Sequence, residues 1–462
     1  MEDKNKTNNE EVFSEHNENI LEQSQQKNTE NKNISRKKTT NLNSHKSHFL
    51  RGVAIGVVLT FVFFAGYFTH YFSLSKEIRS IEFLLDIYKQ HYYKASESDV
   101  VHTLAEGLLD IYSGYYTAEE YEAYQKAGQG SKSGYGIGIL EMKITSVLGN
   151  SPAEKAGIKA GGTITAYKLA NAEEFITVTT QDAFTAFLSS TDEEVTLKIL
   201  YGKEYKEFTL KRAEYTENYV YYTDASGSYR FISNGDEMIF TLYEGENIQL
   251  GAGWAYLKFT SFNGLQSGTM GGSGQFAKAL ETFKANANDK LIIDLRGNGG
   301  GYMSILCNIA SHLCDTGSTE RFIVQKARYR DGRIENFYSL QNDYANYNFT
   351  KIVFLADSGS ASASEALMGA VLDYDKLSGN NIVRIVLDPT EVDGKVVYRS
   401  YGKGIMQSMY TNYLTGEAVK LTTAEVVWPV TEGSIHGVGF TPETDSRVYA
   451  AIGDAISFAQ TL

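Results

Sequence analysis

Two short segments of the sequence carry residue types that can break an amide or ester bond. Serines at 360, 362 and 364 alternate with small residues, and Lys403 stands between two glycines with Gln407 one helical turn further on. A serine hydroxyl beside a neutral lysine amine is sufficient for a hydrolase, which then needs no histidine. The two segments therefore predict a nucleophilic Ser-Lys site.

The backbone around the serines offers the charge stabilisation that such a site needs. A helix predicted to begin near Ser362 leaves the N–H groups of its first turn free, and that of Ala363 is the nearest donor to an oxyanion. The glycine-rich turn at 296–301 allows close approach of a substrate, so Gly299 and Gly300 are candidates for the second donor. Turns of this composition also occur as plain tight turns or phosphate cradles, and neither segment alone decides between these roles.

Lys403 can act as a base only after it loses its proton. Lowering its pKa from about 10.4 to about 7.5 costs about 4 kcal/mol, which burial can supply where no carboxylate is close. The residues at 402 and 404–406 carry no charge, and Gln407 can hydrogen-bond the amine without charging it. The alternative is an ordinary solvated surface lysine.

Histidines and cysteines restrict the other chemistries. After residue 102 the histidines are His312 and His436, so a Ser-His-Asp arrangement depends on His436, and no His-Glu-x-x-His zinc motif occurs. Cys307 and Cys314 are seven apart in one predicted helix, about 10 Å along its axis, which is too far for a disulfide. We expect both cysteines to be packing residues, with a metal site that includes His312 as the alternative. No metal and no cofactor are predicted.

Composition and length bound the class of protein. A net charge of −13 and a pI near 5.2 argue against a nucleic-acid partner, because phosphate binding needs clustered Lys and Arg. A chain of 462 residues is too long for one hydrophobic core. We therefore expect a tail or membrane segment followed by two or three domains.

The N-terminal region predicts a tail and a membrane anchor. Residues 1–48 are rich in Asn, Lys, Glu, Gln and Ser, which predicts a disordered segment. Residues 52–75 contain no charged side chain, and we predict a transmembrane helix at 49–72. A buried core helix and a cleaved signal peptide are the alternatives; the second lacks an Ala-x-Ala-like site. Basic residues before the span predict a cytoplasmic N-terminus and an extracytoplasmic remainder.

Periodicity divides the rest of the chain into three parts. Residues 76–127 predict helices that either connect or dimerise the protein or pack on the next domain. A flexible joint at 130–138 opens an αβ unit at 130–213, with a helix capped at 151–157, a helix at 181–189 and a strand at 195–199. From about Trp254, buried strands alternate with helices, which predicts largely parallel pairing. No pattern resolves 214–250.

Seven motifs in a fixed order make the chain resemble the C-terminal processing peptidases, also called tail-specific proteases. The resemblance covers roughly residues 76–462. The motifs are DIYSGYYT at 110–117, GIGI at 136–139, SPAEKAGI at 151–158, DLRGNGG at 294–300, GSASASE at 359–365, GKG at 402–404 and SIHGVGFTP at 434–442.

The resemblance implies roles for these residues. Ser362 would be the nucleophile, Lys403 the general base and Gln407 the residue that orients it. Residues 130–213 would form a PDZ domain that binds the C-terminal carboxylate of a substrate through backbone near Gly136, Ile137, Gly138 and Ile139. Residues 214–462 would form a crotonase/ClpP-like α/β protease domain. The chain departs from the family pattern at Ile111, at Gly162 and in an insertion at 389–400, for which a lid and a substrate-selecting loop are the two alternatives.

Together these inferences predict a multidomain α/β protein that acts as a membrane-anchored serine endopeptidase on the C-termini of proteins. Its predicted partners are protein substrates and the membrane, with a homodimer left open. The alternative from another class is a catalytically silent PDZ-bearing protein that tethers partner C-termini at the cell surface.

Overall fold

The computed structural model describes residues 48–70, 73–91, 100–234, 237–245, 247–265, 268–392 and 394–462. The predicted disordered tail at 1–48 lies outside these residues except for its last position. The chain divides into two compact units, one that ends at Val100 and one that begins at Val101.

The first unit contains an apolar helix, α1 (His48–His70), and a second helix, α2 (Lys76–His91). Helix α1 has 23 residues and a mean hydropathy of 2.1, and none of that apolar stretch is buried. A helix of this length and composition is sufficient for a membrane anchor or for a signal sequence. The predicted span at 49–72 therefore coincides with a helix, and its last two residues lie outside the described part.

The second unit is built from short helices and many strands. Its helices are α3 (Val100–Leu108), α4 (Ala118–Gly128), α5 (Pro152–Lys155), α6 (Gln181–Ser190), α7 (Gly272–Ala285), α8 (Met303–Leu313), α9 (Ala363–Ser378) and α10 (Ala455–Ala459), with a 3-10 turn at Tyr344–Asn346. Its strands are β1 (Gly114–Tyr116), β2 (Ser131–Gly134), β3 (Ile137–Leu140), β4 (Lys143–Val147), β5 (Thr163–Leu169), β6 (Ile176–Thr177), β7 (Val195–Tyr201), β8 (Glu204–Leu210), β9 (Ala213–Thr216), β10 (Val220–Asp224), β11 (Gly227–Asn234), β12 (Glu237–Leu242), β13 (Trp254–Phe259), β14 (Lys290–Asp294), β15 (Ile323–Tyr329), β16 (Ile334–Tyr338), β17 (Lys351–Ala356), β18 (Val383–Leu387), β19 (Thr390–Val392), β20 (Lys395–Val397), β21 (Ile405–Thr411), β22 (Ala418–Val427) and β23 (Val448–Ala450).

An eight-stranded sheet forms the main core, in the order β12-β11-β10-β13-β14-β17-β18-β23. The strands from β13 to β23 run parallel, while β10, β11 and β12 form an antiparallel meander. Along β17, Ile352 and Phe354 face the core that α7, α8 and α9 share, whereas Val353 and Leu355 face α10. Because both faces are covered, the strand is apolar from Ile352 to Ala356. The predicted strand–helix alternation is confirmed, and the meander accounts for most of 214–250.

A separate core lies in the part of the chain at 130–213. Its six strands have the order β3-β4-β5-β7-β8 with β6 on β5. Helix α5 begins after Ser151, whose hydroxyl accepts the Glu154 N–H at 3.2 Å, so the predicted cap is confirmed. A Cβ at Gly162 would lie 2.6 Å from Ile199, which accounts for the absence of a larger side chain. The predicted flexible joint is wrong for 131–134, because β2 pairs with β9.

A smaller antiparallel sheet carries the residues after Lys403. Strand β22 lies at its centre and pairs with β1, β15 and β21. Because 405–411 form strand β21, with a bulge between Met406 and Gln407, the prediction that Gln407 follows Lys403 by one helical turn is wrong. Strand β1 was not predicted, and its pairing with β22 shows that 114–116 pack on the following domain, one of the two alternatives left open.

Candidate active site

The three serines lie in the turn between β17 and α9, and the structure gives them different surroundings. Ser360 is buried and its hydroxyl donates to the Leu295 carbonyl at 2.8 Å. Ser364 is also buried and its hydroxyl donates to the Asn298 carbonyl at 2.7 Å. Ser362 lines a cavity, which the other two do not. Among the three, Ser362 is therefore the hydroxyl that a substrate can reach.

The backbone of Ser362 is strained. Its φ of 57° and ψ of −115° lie in a region that residues with a Cβ rarely adopt, at a cost of about 1–3 kcal/mol. The strain is held by neighbouring bonds, since the Ala361 N–H donates to the Asn298 carbonyl at 3.0 Å. A serine on a strained strand-to-helix turn is the geometry that exposes a nucleophile at the carboxyl end of a strand.

The glycine-rich turn at 297–301 packs directly on the serine turn. A Cβ at Gly300, where φ is 97°, would lie 2.8 Å from the Ala363 nitrogen, so this approach needs glycine. The Gly300 N–H donates to the Asn298 side-chain oxygen at 3.0 Å. Gly299 also lines the cavity, and a Cβ there would point into open space. Of the two glycines predicted to donate to an oxyanion, Gly299 is therefore the better placed.

The glycines around Lys403 are explained by the segment at 434–439. A Cβ at Gly402 would lie 3.0 Å from the Gly439 nitrogen, and one at Gly404 would lie 2.8 Å from the His436 nitrogen. The Gly437 N–H donates to the Gly402 carbonyl at 2.8 Å. This segment supports the lysine loop through its backbone, while the side chain of His436 is exposed and does not line the cavity.

Lys403 is half-buried and lines the same cavity as Ser362. Burial lowers the pKa of Lys403, and the positive charge of Lys420 lowers it further, against Asp110 and Glu365, which raise it. The Lys403 ammonium nitrogen lies 4.7 Å from the ring centre of Tyr112. The neighbours of Lys403 in sequence are uncharged as predicted, but two carboxylates are near it in space.

Glu365 joins the serine turn to the lysine loop. Its buried carboxylate accepts the Ser362 N–H at 3.1 Å, the Ser400 hydroxyl at 2.5 Å, the Gly402 N–H at 2.7 Å and the Lys403 N–H at 2.9 Å. Burial raises the pKa of Glu365, although these four hydrogen bonds act in the opposite direction. One carboxylate thus fixes the backbone on both sides of the candidate site. Sequence reasoning missed this role of Glu365. The signal that could have identified it is the Ser-x-x-Glu pattern of a capping box, which begins at Ser362.

Replacing Glu365 with glutamine is expected to lower the free energy of unfolding by about 1–6 kcal/mol, since each buried unpaired donor costs about 1–3 kcal/mol. Each carboxylate oxygen accepts two of the four bonds, so an amide leaves either the Gly402 N–H or the N–H groups of Ser362 and Lys403 facing NH₂, whereas the Ser400 hydroxyl can turn and accept. Urea unfolding measures the change, with the exposed Glu320→Gln as the control. An unchanged midpoint in Glu365→Gln would contradict the bridging role.

The cavity has a volume of about 1010 Å³. Ser362, Lys403, Gln407, Gly299, Gly300 and Ala363 all line it, together with apolar side chains that include Met303, Met406, Met409, Val426, Trp428 and Ile435. The Gln407 side-chain nitrogen donates to the Thr422 hydroxyl at 3.2 Å, so Gln407 is held by β22. The insertion at 389–400 contains the hairpin β19–β20, and its described residues do not line the cavity.

The residues predicted to bind a substrate C-terminus lie elsewhere. Ile137, Gly138 and Ile139 belong to β3, the edge strand of the six-stranded sheet, and they do not line the cavity. Gly136 precedes the strand with a φ of 77°, and a Cβ there would lie 2.1 Å from the Ser151 side chain. The structure thus brings the catalytic candidates together and places these four residues at a separate sheet edge.

The cysteines are packing residues. Cys307 and Cys314 are both buried and unbridged, and burial raises the pKa of the Cys307 thiol to about 12. Among the described residues, no group of three His, Cys, Asp or Glu side chains is arranged to hold a metal ion. Neither cysteine is among the described residues that line the cavity.

Comparison with known proteins finds similarity to serine peptidases. Residues 253–384 match the model of peptidase family S41. A probable CtpA-like serine protease of Staphylococcus epidermidis is 26% identical over 376 residues, which cover 79% of this chain and 65% of that protein. Its counterpart in Staphylococcus saprophyticus is 25% identical over 420 residues, covering 87% and 74%.

Among solved structures, the photosystem II D1 C-terminal processing protease aligns with 82% of this chain and 90% of its own, at 19% identity and a TM-score of 0.45. The chain spans about 65% of the length of the first curated relatives. The resemblance that the motifs predicted is confirmed: residues 253–384 match peptidase family S41, and the curated relatives are named CtpA-like serine proteases.

Proposed function

We propose that this protein is a serine endopeptidase in which Ser362 attacks a peptide carbonyl and Lys403 is the general base. The observation that carries the proposal is that Ser362, alone of three neighbouring serines, opens on the cavity that Lys403 also lines. Burial and the charge of Lys420 lower the pKa of Lys403, which increases the fraction of neutral amine available to take the serine proton.

The oxyanion is assigned to two backbone donors. The Ala363 N–H lies in the first turn of α9, where the helix dipole favours negative charge. The Gly299 N–H is the second donor, because that of Gly300 is engaged by Asn298. Gln407, held by Thr422 in the same cavity, orients the amine without giving it a charge. Lys403 returns the proton to the leaving amine, and water then hydrolyses the acyl-enzyme.

The domain assignment belongs to the same proposal. Residues 130–213 act as a PDZ domain, in which a substrate C-terminus adds to the exposed edge of β3 near Gly136, Ile137, Gly138 and Ile139. The remainder from 214 to 462 acts as a crotonase/ClpP-like protease domain, with 76–127 as an N-terminal helical region. The substrates are proteins cut near their C-termini.

The apolar helix α1 is assigned to a single membrane span. It contains no charged side chain after Arg51, and basic residues precede it in the sequence. By the bias of positive residues toward the cytoplasm, the N-terminus is cytoplasmic and the peptidase acts outside the cell membrane.

A serine-directed fluorophosphonate probe tests the peptidase assignment. The purified full-length chain in mild detergent is expected to take up one probe, and mass mapping of its peptides is expected to place it on Ser362, since Ser360 and Ser364 are buried. Labelling at another serine would overturn the assignment. No labelling, together with binding of C-terminal peptides, would support the catalytically silent tethering protein instead.

A further inference from the structure

The cavity differs in charge from the chain as a whole. The protein carries a net charge of −13, yet the described residues that line the cavity include three lysines and no aspartate or glutamate. A cleft of one sign attracts and concentrates groups of the opposite sign. The contrast indicates that a negatively charged group of a ligand belongs in this cleft.

Two of the three lysines have other roles. Lys132 forms an ion pair with the buried Glu217 at 2.5 Å, so its charge is compensated within the protein. Lys403 is the proposed base, which acts in its neutral form. Lys420 is left as the lining side chain whose charge no ion pair within the described part of the chain compensates.

Lys420 is held in place by its strand and by two aromatic rings. It lies in β22, opposite Gly114 of β1 and Met409 of β21. Its ammonium nitrogen lies 5.9 Å from the ring centre of Tyr116 and 5.7 Å from that of Tyr124. Aromatic faces at this distance attract a cation but cannot neutralise it. The ammonium group thus lies at the wall of the cavity beside two rings and without a carboxylate partner among the described residues, so its hydrogen-bonding capacity is available to a ligand.

We propose that Lys420 binds a carboxylate of the substrate in the catalytic cleft, and so selects peptides that carry a negative charge near the scissile bond. This inference rests on the proposed peptidase function and names its substrate class. The carboxylate belongs either to an acidic side chain of the substrate or to the substrate's own C-terminus, which lies on the short fragment that cleavage releases. Both sources present the same acceptor to the ammonium group, and a matched peptide series separates them.

The experiment uses the full-length protein and one cleavable peptide in which glutamine is replaced by glutamate at each position in turn. Every peptide is made with a free C-terminal carboxylate and as the amide. For wild type we expect kcat/KM to rise about five- to tenfold for one glutamate position or for the free acid, and the preference to weaken as salt is added. A preference tied to one glutamate identifies a side chain, and one tied to the free acid identifies the C-terminus.

Variants at position 420 assign the preference to this residue. Lys420→Met is expected to bring the charged-to-neutral ratio of kcat/KM close to one, and Lys420→Arg to retain most of it. Both peptides are compared at one alkaline pH. Loss of the Lys420 charge also changes the ionisation of Lys403, but this change is the same for both peptides and cancels in the ratio. Lys395→Met, an exposed lysine of the β19–β20 hairpin outside the cavity, is the matched control and keeps the wild-type ratio.

The failure of this proposal is distinguishable from that of the peptidase assignment. Cleavage without a charge preference, or a preference that survives in Lys420→Met, overturns the role of Lys420 and leaves the peptidase intact. If wild type cleaves nothing, the affinity of Ser362→Ala for the same peptides is measured by fluorescence anisotropy. The ratio of its affinities for charged and neutral peptides then takes the place of the ratio of kcat/KM. Equal affinities for charged and neutral peptides there would overturn the proposal on its own.

Discussion

Replacing Ser362 with alanine is expected to lower kcat for peptide hydrolysis by about 10⁴-fold or more, since removing a nucleophile leaves only binding and the oxyanion donors. The reason lies in the turn, where Ser362 is the serine that opens on the cavity. Cleavage of a fluorogenic peptide by the full-length chain measures the change. Because the expected rate is close to background, the variant is tested at high enzyme concentration.

Two controls separate a chemical role of Ser362 from a structural one. Alanine keeps the Cβ, so the strain that follows from a φ of 57° is unchanged and the melting temperature should stay near that of wild type. Ser358→Ala lies in the same turn but outside the cavity, and it should cleave at the wild-type rate. Wild-type turnover in Ser362→Ala would remove the serine from the mechanism, whereas a large loss of stability would point to folding instead.

Those parts of the site that depend on one segment were predictable from the sequence. The helix that starts after Ser362, the capped helix at 152–155 and the buried strand β17 each leave a local pattern, because capping residues and apolar runs report local backbone needs. Their positions relative to the lysine loop leave no such pattern. Residue types alone predicted a Ser-Lys site, and the resemblance to a family singled out Ser362 among the three serines, which periodicity could not.

Those parts that depend on distant segments were missed for a physical reason. Tyr112 contacts Lys403, and Lys420 contributes to its electrostatics, through a sheet that joins β1 to β22. Strand β1 has only three residues, too few for an alternating pattern. Residues of β21 are mostly half-buried on both faces, so that strand shows no alternation and Gln407 was placed on a helix. Contacts of this kind are set by tertiary packing rather than by local preference.

Replacing Lys403 with methionine is expected to lower kcat/KM by about 10³-fold or more, because the general base and the donor to the leaving group are lost together. In wild type, kcat/KM should rise with pH as Lys403 loses its proton, and level off above a pKa that burial and Lys420 lower from the usual value. The methionine variant should lack that rising limb. Lys403→Arg retains the charge but gives no neutral base, so it should be equally inactive.

The Lys403→Met replacement that lowers activity should not lower the stability of the protein. Because the folded state lowers the pKa of Lys403, the unfolded chain binds more protons between that pKa and the ordinary lysine value, and stability rises with pH across this interval. At neutral pH the folded protein therefore bears the cost of a half-buried charge, which methionine removes while keeping the apolar stem. Lys403→Met should melt at or above the temperature of wild type at pH 7, with the difference shrinking toward alkaline pH. A variant that is inactive and also markedly less stable would show instead that Lys403 holds the loop together, since a catalytic base whose pKa burial lowers is retained at the expense of stability.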